Sequence, residues 1–367
     1  MVNLDPQNYF SDNYYEAKKK FIHAAASMNK ESFKVIDDLT IDVVTFHPAK
    51  KKNLVVIVSG THGIEALVGS AFQLMFMDKL LNQVKDNNIG ISLIHSLNPY
   101  GFANCSRVNE NNVDLNRAFL DNPKLFATEN EKLKRIYEEL MPLHSPQRKR
   151  GRHTYESLKF YFGLVKAFSK YGKEDLFNAI PQGQYEHPEG IFYGGNSKRK
   201  EKSVQFFHDH IHKVSKGYEN VVLIDVHCGL GKRGDVFYTT GNRRDSKEFK
   251  YLAGMVPSLR SDLDENQKDN YIIKGSLEAY ALKHSQAKNI TSGMILEFGT
   301  FSKISRLLSS LGMLNLLVAE NQYHNHGGRF PKEKIKYAFS PIDKNWRIGM
   351  LNYAYNLCED ICKGLNQ

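Results

Sequence analysis

The run Leu54-Val55-Val56-Ile57-Val58 constrains this chain more than any other segment. It is short, β-branched and free of charge, as a strand buried on both faces of a parallel sheet should be. Ser59-Gly60-Thr61-His62-Gly63-Ile64-Glu65 follows at once, and Leu67, Ala71, Leu74, Met75 and Leu81 then recur at roughly helical spacing over residues 66–81. Strand, tight turn and helix make one half of a parallel α/β unit. Open sheets of this kind bind ligands at the carboxyl ends of their strands, and His62 and Glu65 stand at such an end.

A second run of the same character, Val221-Val222-Leu223-Ile224-Asp225-Val226-His227, carries another imidazole to a strand end. Two imidazoles and a carboxylate, with a fourth position left to water, are the donor set of a hydrolytic zinc site. His62, Glu65 and His227 are therefore the candidate ligands of one Zn2+ per chain. The His-x-x-Glu pair alone says little, because a surface turn can carry both residues for solubility.

Three further segments bring a family resemblance. Asn98-Pro99-Tyr100-Gly101-Phe102, then Arg107, then Asn112-Val113-Asp114-Leu115-Asn116-Arg117 resemble the Asn-Pro-x-Gly and Asp-Leu-Asn-Arg motifs of zinc metallocarboxypeptidases. Ile295-Leu296-Glu297-Phe298-Gly299 resembles the strand that carries that family's catalytic glutamate, and the order of the pieces also agrees. The resemblance spans about residues 53–300 and resides in the motifs, not in the stretches between them. It implies an α/β fold in three layers, a mixed twisted sheet sandwiched by helices. It implies roles as well. Glu297 would be the general base and Arg107 would stabilise the developing oxyanion. Asp114 would orient a zinc-bound histidine from behind. Asn116 and Arg117 would hold a substrate carboxylate, for which a guanidinium offers a bidentate fork. The family's tyrosine has its nearest counterpart in Tyr271, but the spacing is shifted by one, so Tyr271 is left out of the catalytic set.

The substrate is less defined. Gly60-Thr61-His62-Gly63-Ile64-Glu65 and Asp225-Val226-His227-Cys228-Gly229 are closer in style to the amidohydrolase branch that resembles aspartoacylase and succinylglutamate desuccinylase, which cleaves N-acyl amino acids. Arg107 ten residues before Arg117 fits the peptidases. The chain resembles a bacterial-type group between the two. A metallocarboxypeptidase is the leading expectation and an N-acyl amino acid deacylase the alternative, with a small peptide or an N-acyl amino acid as the partner. The rival of another class is an inactive metal-binding protein on the same fold.

Other patterns are set aside on physical grounds. Gly229-Leu230-Gly231-Lys232-Arg233-Gly234 has dinucleotide-loop spacing, but Val236-Phe237-Tyr238-Thr239-Thr240 after it reads as a strand where that loop requires a helix. His208, His210 and His212 alternate within a helical stretch, where neighbours two apart point about 200° apart and cannot converge on a metal. A polar helix face is expected there. His324 and His326 beside Gly327-Gly328 read as a loop. The charge of +10, from 50 basic and 40 acidic residues, is scattered in short runs such as Lys50-Lys51-Lys52 and Lys198-Arg199-Lys200. No interleaved aromatic motif accompanies them, so nucleic acid is not the expected partner.

With 367 residues and 41% hydrophobic content, the chain is expected to form one zinc-hydrolase domain over residues 1–367. A helix over 13–28 and a strand over 41–46 open it. Residues 121–216, including an aromatic stretch at 155–168 and a turn-rich stretch at 181–190, read as an insertion roofing the site, the latter a candidate specificity loop. No apolar stretch of bilayer length is present, and four cysteines suggest reduced thiols in the cytoplasm rather than a disulfide scaffold. The oligomeric state is left open.

Overall fold

The computed structural model of the chain describes residues 4–127, 182–263, 274–301, 306–326 and 332–366, with isolated positions between 133 and 172. Eight strands form one sheet: β1 (Asn29–Ile36), β2 (Leu39–Phe46), β3 (Asn53–Ser59), β4 (Ile89–His95), β5 (Asn220–Gly229), β6 (Val236–Thr240), β7 (Arg260–Ser261) and β8 (Ile290–Gly299). Their order is β1-β2-β4-β3-β5-β8-β6-β7. The centre, β4-β3-β5-β8, is parallel, while β1, β2 and β6 join antiparallel at the flanks.

The described helices are α1 (Pro6–Tyr9), α2 (Tyr14–Ala24), α3 (Ala66–Lys79), α4 (Leu81–Asp86), α5 (Pro99–Asn104), α6 (Lys202–Ser215), α7 (Lys247–Ala253), α8 (Leu277–His284), α9 (Arg306–His326), α10 (Lys332–Phe339) and α11 (Lys344–Leu365). Alternation along the strands separates two cores, because successive side chains leave a strand on opposite faces. Val55, Ile57, Val222 and Ile224 pack with Phe72, Met75, Leu351 and Ala354 of α3 and α11. Leu54, Val56, Val221 and Leu223 pack with Phe207 and Ile211 of α6 and Leu277 of α8. The sheet is thus covered on both faces, in the three-layer arrangement expected from the sequence.

The early boundaries shift a little. The opening helix stops at Ala24, and β2 begins at Leu39. The strand β1, which shows no unbroken apolar run, pairs with β2 as an exposed edge. Residues 66–81 form α3, closed at Lys79 before the short α4. Nearly every side chain of α3 is buried, because it lies between the sheet, α2 and α11. Most of residues 121–181, including most of the aromatic stretch 155–168, and Tyr271 lie outside the described residues. The end of the stretch read as an insertion forms α6, buried through Val204, Phe207, Ile211 and Val214. Two expectations are corrected. His210 does not lie on a polar helix face: it is buried, its Nε2 2.8 Å from Ser92 Oγ on β4, and its ring stacks on Phe206. His324 and His326 belong to the last turn of α9 rather than to a loop. No described helix is long and apolar enough to cross a membrane.

The topology selects the site. Strand β3 has β4 on one side and β5 on the other, so chain direction across the sheet reverses there. A crevice outside the carboxyl ends of the strands is expected at such a reversal.

Candidate metal centre

Three chain segments converge at that crevice. After β3 the backbone turns through Gly60 (φ +71°) and forms a short 3-10 turn at Gly63–Glu65 before α3. The segment following β4 laces this turn in place: Leu97 N donates to Ser59 O (2.9 Å), Asn98 N to Gly60 O (2.8 Å) and Ile64 N to Ser106 O (2.8 Å). The Asn-Pro-x-Gly motif has a local reason. Asn98 Oδ1 caps α5 by accepting from Gly101 N, Pro99 occupies the first turn, and Asn98 Nδ2 donates to Arg107 O. Gly63 and Gly101 touch backbone to backbone. A Cβ on Gly63 would stand 2.2 Å from Gly101 C, so no other residue fits without moving one of the two turns.

His62 and Glu65 leave this turn, and His227 leaves the end of β5. All three are buried, and one donor atom from each lies within 4.8 Å of the others, the one such group among the described residues. His62 Nδ1 is 2.9 Å from Glu65 Oε1, His227 Nδ1 is 2.9 Å from Glu65 Oε2, and the two Nδ1 atoms are 3.1 Å apart. Each imidazole turns its other nitrogen to a carboxylate: His62 Nε2 is 3.1 Å from Asp114 Oδ1, and His227 Nε2 is 2.8 Å from Asp225 Oδ2. A carboxylate only accepts, so these partners suit rings protonated on Nε2, the tautomer in which both Nδ1 atoms can present lone pairs to a cation. In that tautomer two lone pairs and a carboxylate face one another in a buried space. They repel unless a cation stands among them, so the donor set fits a divalent metal held by two imidazoles and a carboxylate.

The electrostatics follow the same geometry. Burial alone would raise the Glu65 carboxyl, but the two histidines outweigh it and hold it well below the usual carboxylate range. Burial likewise opposes ionisation of Asp114, and Arg107, His62 and Arg117 overcome it. His227 is disfavoured as a cation by burial, yet Asp225 and Glu65 raise it well above the ordinary histidine value. Glu297 is paired with His227 in the β5–β8 register and accepts from Leu230 N at 2.8 Å. Burial, then the negative charge of Glu65, push its carboxyl up to about 8.

The remaining expected residues gather around this core. Arg107 is buried, donating through Nε to Asp114 Oδ2 at 3.0 Å, with Nη1 3.5 Å from Glu65 Oε1. Asn116 and Arg117 lie in the short turn Leu115–Arg117 that Asp114 caps. Asn116 Oδ1 accepts from Leu277 N at the start of α8, and Arg117 is almost completely enclosed, with Nη1 donating to its neighbour's carbonyl, Asn116 O. Three residues that bear on the site were not singled out from the sequence. Asp225 had a readable signal, since it precedes His227 by two on a strand and so shares its face. Glu320, which accepts from Ser106 Oγ at 2.5 Å, and Phe192, which packs on Arg107, come from elements with no local mark of the site.

Residues 10–353 match the model of the family described as "Protein of unknown function (DUF2817)", and the chain belongs to that family. No curated protein matches it significantly. Among solved structures it is similar to carboxypeptidase A from Helicoverpa armigera, at 13% identity and a TM-score of 0.48, over 93% of this chain and 77% of that one. It is similar also to bovine thrombin-activatable fibrinolysis inhibitor in complex with tick carboxypeptidase inhibitor, at 13% identity and a TM-score of 0.47, over 88% and 98%. A metallo-carboxypeptidase from Burkholderia cenocepacia is similar at 11% identity and a TM-score of 0.41, over 84% and 68%.

Proposed function

We propose that this protein is a zinc-dependent hydrolase of the metallocarboxypeptidase kind, cleaving an amide bond next to a free carboxylate in a small peptide or an N-acyl amino acid. The observation that carries the reading is the convergence of His62 Nδ1, His227 Nδ1 and the Glu65 carboxylate in a buried space, with Glu297 opposite His227 on the neighbouring strand. His62, Glu65 and His227 would hold the ion. Bound there, zinc would polarise the scissile carbonyl and lower the pKa of water toward neutrality.

The chain's own groups supply the rest. Glu297, fixed on a strand, would take a proton from the attacking water and return it to the leaving amine. Arg107, already held by Asp114, would stabilise the negative charge that develops on the carbonyl oxygen. Asp114 and Asp225 would keep both imidazoles in the metal-binding tautomer. Asn116 and Arg117 would receive the substrate carboxylate. The deacylase reading draws support from the burial of Arg107 and Arg117, because enclosed guanidiniums suit a small substrate. All four cysteines are free, which supports residence in the cytoplasm.

The test is elemental analysis followed, on the same sample, by hydrolysis of a panel of N-acyl amino acids and short peptides. One equivalent of zinc with cleavage that requires a free carboxylate is the expected result. Lack of bound metal after reconstitution, or equal cleavage of amidated substrates, would remove the reading.

A further inference from the structure

Arg107 is held by more than its ion pair with Asp114. On the side of the metal turn its stretch is fixed through carbonyls: Ile64 N donates to Ser106 O at 2.8 Å, while Gly63 N and Asn98 Nδ2 donate to Arg107 O at 3.3 and 3.2 Å. Buried donors require partners as well. Two of them, Ser106 Oγ and the peptide N–H of Arg107, meet Glu320 of α9. Its buried carboxyl accepts from Ser106 Oγ at 2.5 Å and from the Arg107 N–H.

The next residue of the helix reaches toward the other half of the ion pair. Asn321 Nδ2 donates to Asn112 Oδ1 at 3.2 Å, two residues before Asp114. Consecutive side chains of α9 thus touch the stretch that carries Arg107 and the turn that carries its partner. Arg107 and Glu320 also line one hollow with room for about one water molecule, so they share a small enclosed space.

Placement of this guanidinium is demanding. Nε donates to Asp114 Oδ2 at 3.0 Å, while Nη1 stands 3.5 Å from Glu65 Oε1. A guanidinium that closed on Glu65 would compete with a metal for that carboxylate, and one that withdrew would lose reach to the developing oxyanion. We propose that Glu320 is the positioning residue for Arg107, setting through Ser106 and the Arg107 peptide how far the guanidinium stands from the metal ligands. The inference rests on the hydrolase reading for what Arg107 does in the reaction.

The test is a double-mutant cycle on the zinc-loaded protein, with a panel member that wild type cleaves. Arg107→Ala should lower kcat about 10²–10³-fold. Glu320→Ala should lower kcat about ten- to a hundredfold, the cost of a misplacement on the order of 1 Å, with KM and zinc content unaltered. Placed in Arg107→Ala, the same substitution should cost less than about twofold, because it acts only through the missing guanidinium. Ser106→Ala should reproduce the loss without adding to it, and it carries the cycle where Glu320→Ala fails to fold. Glu320→Gln, which keeps an acceptor oxygen, should recover most of the rate. Equal losses with and without Arg107, or a loss that travels with zinc content, would make Glu320 an ordinary buried residue and overturn the proposal.

A second readout needs no turnover. The Nε–H resonance of Arg107, assigned by its disappearance in Arg107→Lys, reports the bond to Asp114. In Glu320→Ala, or in Ser106→Ala, its exchange with water should quicken at least about tenfold. Faster exchange in a protein whose wild type hydrolyses no panel member would sink the hydrolase reading and leave Glu320 in its role. Unaltered exchange would sink Glu320 whether or not the wild type hydrolyses.

Discussion

His227 and Glu297 stand on adjacent strands whose backbones pair without a break from Asn220 with Ile290 to Gly229 with Gly299, whereas residues 182–195, the wall against the two arginines, have only the single bridge between Gln184 and Tyr193. On the strand side, each imidazole has a carboxylate behind it, and Thr61 Oγ1 in turn donates to Asp225 Oδ1 at 2.7 Å. On the loop side, position depends on a few reaching groups. Tyr185 donates its hydroxyl to Arg117 O, and Asn112 spans from the loop to Asn321 of α9. The contrast teaches a division of labour. His227 and Glu297 are fixed by a continuous parallel ladder, and His62 and Glu65 ride on the turn that follows β3. The wall against the two arginines sits on a loop, where sequence can vary at little cost to the core.

This comparison can be broken at several points. The largest effect is expected from Glu297→Gln, which removes the proposed proton shuttle from the strand side while keeping its size. Hydrolysis should fall about 10²–10⁴-fold with zinc content unaltered, and undiminished turnover at full metal occupancy would mean that the proton passes elsewhere. Asp225→Asn should come next. The amide can no longer act solely as an acceptor for His227 Nε2, so metal affinity should drop roughly 10–100-fold in a competition titration against a chelator. A matching loss from a loop substitution such as Tyr185→Phe would erase the distinction between the two sides, since the Tyr185 hydroxyl donates to the backbone carbonyl of Arg117; its effect on metal affinity should be nil.

The smallest effect on the site, and a check on the scaffold beneath it, concerns Glu278 on α8. This buried carboxyl accepts from Thr240 Oγ1 at 2.8 Å, and burial, with Asp262 nearby, pushes it up to about 7 from an ordinary value of 4.5. The folded chain therefore binds a proton more tightly than the unfolded one. Its contribution to stability is complete below pH 4.5 and is lost as pH rises through about 7. The size is on the order of 3 kcal/mol. Glu278→Gln should flatten the fall in denaturant midpoint across that window without changing metal content. Asp262, raised to about 7 by burial, keeps part of the slope. A variant with the wild-type pH profile would show that Glu278 does not titrate there.

The convergence of the candidate ligands was legible because each follows a run of apolar residues that announces a buried strand, and a strand's end has one place to be. The roles of the Asn-Pro-x-Gly residues were legible only as a motif; their reason, capping α5 and permitting Gly63 to touch Gly101, appears with the fold. His210 misled because alternating histidines in a polar-looking helix give no hint that one of them faces a strand serine.

What the sequence determined by itself was the α/β class, the two strands that deliver imidazoles and the acid on the third, since burial and periodicity are local properties of a chain. What tertiary structure alone decided was that Asp114 stands behind His62, that Glu65 faces His227, and that the Phe192 ring lies near both arginines. These depend on contacts between residues dozens to more than a hundred positions apart. No local pattern can encode such contacts, because they are set by how the sheet, the turns and the loop pack together.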